Sequence, residues 1–233
     1  MNIDPQQFLD VVRPPLAEGD AARLAEVVLA RWTGRDLCPL LQCPQRDVRQ
    51  VVAVTLGLVG DHTCVGSLSQ ALHDEDEQVN QMAEHGLWSI WFRAGRPAAA
   101  QLFHEGVALL SMESHDQAIE KFSDAIAVDP DFAEAYNQRS IAHFLAGRWQ
   151  PALADGEQAV LRMPTHFGAI AGMGHCHAHL NELEKSHDCY RRALAINPRM
   201  PAIARAVERL EQKLYGKAAP ANTNTPSPKS ARR

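Results

Sequence analysis

One pattern is written three times between Ala99 and Met200, at a spacing of 34 residues, and it limits what this chain can become more than any other feature. Ala118, Ala152 and Ser186 share one slot, Ala125, Ala159 and Ala193 a second, and Pro130, Pro164 and Pro198 a third. Gly106, Ser140 and Gly174 fill a fourth slot, early in each copy. Self-similarity at a fixed period of this length marks a stacked repeat array rather than a closed globule. In the middle copy Ala133–Ala146 carries no breaker, Gly147 offers a turn, and Trp149–Arg162 runs on until Met163-Pro164 stops it. Proline cannot continue a helix and pushes the preceding residue toward extended geometry. Each unit therefore reads as two helices. Small residues stand where the helices cross, and Phe122, Tyr136, Phe144, Trp149 and Tyr190 fill the wider gaps.

These residues closely resemble the tetratricopeptide repeat. That motif asks for a large residue at its fourth position, a small one at the eighth and Ala at the twentieth. It adds an aromatic near the twenty-fourth, Ala at the twenty-seventh and Pro at the thirty-second. Leu102, Gly106, Ala118, Phe122, Ala125 and Pro130 meet it in the first copy. Tyr136, Ser140, Ala152, Ala159 and Pro164 meet it in the second, with Gly156 where an aromatic is usual. Ile170, Gly174, Tyr190, Ala193 and Pro198 meet it in the third, with Ser186 in place of the first Ala. The resemblance implies an all-α fold, a right-handed superhelical α-solenoid, with repeats at 99–132, 133–166 and 167–200 inside a unit spanning 98–200. A helix pair cannot bury its apolar face alone, so the last repeat needs a lid. Pro201–Tyr215 supplies one, since Ile203, Ala206, Val207, Leu210 and Leu214 recur at helical spacing before Gly216.

A second period lies upstream. Sliding residues 35–97 by 31 superposes Leu37 on Leu68, Leu41 on Leu72, Val48 on Val79, Leu56 on Leu87 and Val59 on Ile90. Asp47-Val48-Arg49, followed by Leu56-Gly57 and Gly60-Asp61, is similar to the HEAT-type repeat. The resemblance implies that the Asp caps the second helix and the Arg bonds across to the next unit. The second copy has Asp76, but Asn80 where the Arg would fall. Residues 1–34 read as a degenerate copy, with helical stretches around Phe8–Val12 and Leu16–Ala30 separated by Pro14-Pro15. The junction between the two arrays falls at Arg93–Pro97.

Charge is spread unevenly over a net −5, with 4 basic and no acidic residues in 217–233. An acidic body argues against nucleic acid as the principal partner, because phosphate contact needs clustered Lys and Arg. Residues 217–233 hold no large apolar side chain and are expected to be a disordered tail. No signal peptide is visible, and the longest apolar run, Val51–Val59, is too short to span a bilayer. Five cysteines at irregular spacing read as reduced thiols, so the cytoplasm is the expected location.

No catalytic constellation emerges. His104-Glu105 begins like a zinc-protease helix, but Ala108 stands where the second ligand belongs. The cluster His175-Cys176-His177-Ala178-His179 places His175 and His179 on one helical face, and His177 shares its slot with His143. It reads as a partner contact or as ordinary surface and core histidine ahead of a metal site. No cofactor is expected.

The resemblance also implies a concave surface lined by the first helix of each unit. Carried over, its slots are Ala100, Phe103, Val107, Leu110 and Ser111, then Glu134, Asn137, Ile141, Phe144 and Leu145, then Gly168, Ala171, His175, Ala178 and His179. A groove apolar through two thirds and imidazole-rich at the end follows. The subclass that clamps chaperone C-termini uses charged slots that here hold Phe103, Val107, Gln138, Gly168 and Gly172, so no such clamp is expected. The expected function is a non-enzymatic adaptor. It takes a peptide or partner helix on Phe103, Val107, Leu110, Asn137, Ile141, Phe144, His175 and His179, and its apolar face is compatible with self-association. The alternatives are a lyase-like module of the HEAT type and a metal-responsive regulator.

Overall fold

The computed structural model describes residues 3–216, and every regular element among them is helical. Six helices precede the 34-residue repeats: α1 (Pro5–Glu18), α2 (Ala21–Leu29), α3 (Gly34–Leu37), α4 (Arg46–Val59), α5 (Val65–Ala71) and α6 (Glu77–Arg93). The repeats form three hairpins, α7 (Pro97–Ser111) with α8 (His115–Val128), α9 (Ala133–Leu145) with α10 (Trp149–Arg162), and α11 (Phe167–His179) with α12 (Leu183–Ile196). α13 (Pro201–Tyr215) closes the end with Ile203 and Val207 buried, and Gly216 terminates it at φ +59°. The result is an all-α solenoid in which each helix packs chiefly on its sequence neighbours. The tail expected at 217–233 lies outside the described residues.

The repeat slots explain the packing. A Cβ on Gly106 would come within 2.6 Å of the Phe122 ring, and one on Gly174 within 2.5 Å of the Tyr190 ring. The aromatic of the second helix therefore lies directly on the backbone of the first. The middle copy lacks that aromatic. Met173 of the next unit fills the space instead, 2.7 Å from where a Cβ of Gly156 would sit. The serines at the crossings hydrogen-bond between the helices with exchanged roles. Ser140 on α9 donates to the carbonyl of Ala152 on α10 (2.6 Å), whereas Ser186 on α12 donates back to Gly174 on α11 (2.8 Å). The turn inside each hairpin needs a left-handed residue at one fixed slot, filled by Glu113 (φ +58°), Gly147 (+74°) and Asn181 (+59°). Gly and Asn adopt that conformation readily, whereas Glu113 does so at a cost of about 1–2 kcal/mol.

The N-terminal region differs from expectation at Pro14-Pro15, where no break occurs. α1 runs through both prolines to Glu18. Their missing N–H groups cost the ladder its bonds to the carbonyls of Asp10 and Val11, and the burial of Phe8, Val12 and Pro15 itself holds the helix to the core in spite of that. The stop comes at Gly19 (φ +69°), whose N–H bonds to Leu16, and Asp20 then caps α2.

α4 and α6 pack face to face, so closely at Gly57 and Gly86 that a Cβ on Gly57 would lie 3.1 Å from the Gly86 Cα. Asp47 does not cap α4. Gln45 holds that position without a side-chain bond, while Asp76 does cap α6, accepting from the N–H groups of Gln78 and Val79. Arg49 bonds across to the next unit, with its Nε and Nη2 on the two oxygens of Asp74 (2.7 and 3.0 Å). Its Nη1 donates to the carbonyl of Cys43 (3.0 Å), and Asn80, 31 residues on, makes the matching bond to the carbonyl of Asp74 (3.4 Å). The second copy thus retains the local bond and loses the cross-unit arm.

Candidate functional site

α6 has two apolar faces, and the second one decides how much of the repeat surface stays open. Val79, Ala83, Leu87 and Ile90 belong to the core of the N-terminal region. Trp88, Trp91 and Phe92 reach instead into the tetratricopeptide-like array. Phe92 packs edge-on against Phe103 (5.3 Å between centroids), and Trp91 stacks on His166 (4.0 Å, 16°). Both tryptophans also touch Phe167. A Cβ on Gly168 would meet the Trp88 ring at 2.6 Å, and one on Gly95 would meet Phe132 at 2.5 Å, so both positions must stay bare.

Beneath Trp91 lies a polar network closed to water. Glu134 and His166 have side chains 0% exposed, with Glu134 Oε2 2.7 Å from His166 Nε2. Asn137 and Gln138 both donate to the other oxygen, at 3.0 and 2.7 Å. His166 Nδ1 accepts the N–H of Ala169 (3.1 Å), which leaves Nε2 as the donor to Glu134. All four polar side chains are thereby satisfied, as buried polar groups must be. The carboxylate also sits in the first turn of α9, where the helix dipole favours it.

Two expected groove residues are corrected by this arrangement. Phe103 is fully buried among Phe92, Phe122 and Phe132, and Asn137 is buried with its amide committed to Glu134. Neither is available to an outside ligand, because the chain's own α6 covers that end of the surface. Three of the clamp slots share this fate, since Phe103 and Gln138 are buried and Gly168 lies under Trp88.

The far end of the surface is open. Ile141 is 37% exposed and Leu145 53%, and Val107, Leu110 and Phe144 are partly exposed beside them. His175 and His179 line its edge, and both are exposed. His179 stacks on Trp149 (4.1 Å, 16°), Phe144 packs against both rings, and the Tyr190 hydroxyl lies 2.7 Å from His175 Nδ1. His177 turns inward and bonds to Glu182 (2.6 Å), which holds that carboxyl below its usual range. Among the described residues no group of three or more His, Cys, Asp or Glu is placed to hold a metal ion. All five cysteines are free thiols.

Desolvation pushes the imidazoles of His143 and His175 below the usual 6.5, with Asp155 partly opposing the shift at His143 and His179 reinforcing it at His175. The His175 ring is desolvated because it packs against Phe144 and Tyr190, although the residue as a whole stays exposed. The unfolded chain takes up protons near pH 6.5, and the folded chain only at lower pH, so acid favours unfolding through this window. Melting temperature should therefore hold above pH 7 and fall as pH drops from about 6.5 toward 5. His143→Gln with His175→Gln should flatten that slope in a thermal scan series. An unchanged slope would show that other groups set it.

No family model matches the chain. It is 26% identical over 148 residues to a TPR repeat-containing protein of Rhizobium etli, a span of 64% of this chain and 72% of the relative. It is 32% identical over 94 residues to the Hsp70-Hsp90 organizing protein of wheat, Triticum aestivum, covering 40% of this chain but only 16% of that one. The described helices are similar to the Sgt2 TPR domain from Aspergillus fumigatus, with a TM-score of 0.50 at 20% identity over 59% of this chain and 93% of that domain. The likeness defines a class: the 34-residue units have the tetratricopeptide-repeat fold. No helix among the described residues is long and apolar enough to cross a membrane.

Proposed function

We propose that this chain is a non-enzymatic cytoplasmic adaptor that takes an apolar-anchored peptide or partner helix on the open end of its repeat surface. Ile141, Phe144 and Leu145 would provide the apolar seat, Val107 and Leu110 would extend it along α7, and His175 and His179 would form a polarisable edge. The supporting observation is that Ile141 and Leu145, one turn apart on α9, are both exposed with Phe144 half-buried beside them, since exposed apolar side chains on a repeat surface usually meet a partner. The closed end argues against a chaperone-tail clamp. Residues 35–97 are read in the same proposal as HEAT-like units, on the strength of the Arg49–Asp74 bond. The open surface is also compatible with self-association.

Ile141→Glu with Leu145→Glu should abolish capture of partners by the purified chain while leaving helical circular dichroism and melting temperature close to wild type, because both residues are exposed. Equal recovery of partners by the two proteins would remove this surface from consideration.

A further inference from the structure

The N-terminal region carries a cavity that the adaptor reading does not use. It has a volume of about 400 Å³ and opens between the α1–α2 turn on one wall and α4 and α6 on the other. The facing glycines create it. Gly57 and Gly86 bring the two helix backbones together and project no side chain into the space above them. Leu16, Val54 and Met82 line it and also line an adjoining cleft of about 420 Å³ whose rim carries Gln50, Gln78 and Gln81, so the two share an apolar floor and form one trough. From Met82 to Arg93 the trough follows α6 for about 16 Å, the reach of a medium-length acyl chain.

One end is cationic. The guanidinium of Arg93 is pinned by two carbonyls, Nη1 to Gly57 (2.7 Å) and Nη2 to Gly60 (3.2 Å), while its remaining N–H groups have no bond within the described residues. Arg93 stays exposed at the mouth of the trough, no carboxylate among the described residues pairs with it, and partial desolvation lowers its pKa. The other charged or titratable lining groups are His85 and Asp20, and the Asp20 carboxylate is already committed to capping α2 through the N–H of Arg23 (2.9 Å). A fixed cation without a counter-ion at the end of an apolar trough is complementary to an amphipathic anion.

We propose that this trough binds an aliphatic carboxylate of the fatty-acid type, its chain along Leu16, Val54 and Met82 and its head group on Arg93. Nothing in this site depends on the repeat groove, and ligand at one does not require ligand at the other.

Isothermal titration of the full chain with monomeric dodecanoate should give saturable binding with one ligand per chain. Dodecanol should bind more weakly to wild type, and Arg93→Met should lose at least tenfold in dodecanoate affinity with little change for dodecanol. Val54→Trp, a change at an exposed position remote from Arg93 along the trough, should abolish both while helical dichroism is retained. Non-saturable uptake by wild type, equal affinity for acid and alcohol, or wild-type affinity in either variant would overturn the proposal.

Discussion

His166→Ala should destabilise the fold by about 3–5 kcal/mol, because it removes a buried donor to a carboxylate and leaves a ring-sized cavity. The residue is 0% exposed, and its loss strands the Glu134 carboxylate with two amide donors in place of three donors. It also removes the ring on which Trp91 stacks. Urea denaturation monitored by dichroism would measure the loss, and a change below 1 kcal/mol would mean that the network carries little. Trp91 and His166 are in contact, so the Trp91→Ala and His166→Ala penalties should fall short of additive by about 0.5–3 kcal/mol in a double-mutant cycle.

Phe103→Ala should cost a similar amount, about 3–5 kcal/mol, because it empties a site enclosed by three other phenylalanines. Ile141→Ala, from the same expected groove set, should stay within about 0.5 kcal/mol of wild type. Comparing the two melting curves distinguishes a core residue from a surface one directly. Equal effects would mean that α6 does not seal the closed end. A charge at Phe103 would consequently report on folding and say nothing about a partner.

The 34-residue units were legible because their determinants are local and repeated. Gly106 and Gly174 are small for a reason internal to each hairpin, and Pro130, Pro164 and Pro198 each follow the end of a hairpin's second helix. The closed end of the surface was not legible, because Trp91 on His166 and Trp88 on Phe167 join residues more than 70 positions apart and only Phe92 on Phe103 is near in sequence. A signal existed nonetheless. Trp88, Trp91 and Phe92 correspond, 31 residues earlier, to Gly57, Gly60 and Asp61, so the second copy gained three aromatics that its own hairpin does not require. His166 likewise stands in a column otherwise filled by Phe132 and Met200. A polar residue in an apolar column, and aromatics outside a repeat's pattern, both pointed to a contact that periodicity could not place. The reading of Pro14-Pro15 as a break failed for a different reason: tertiary burial of Phe8 and Val12 outweighed a local preference.

Because α6 gives one flank to each neighbour, the seam visible in the letters at Gly95 is not a seam in the folded object. Scissors applied there would leave two raw edges, with tryptophans bared on one piece and a carboxylate newly wetted on the other. Anyone borrowing the triple repeat as a portable cassette should carry that shared rod along with it.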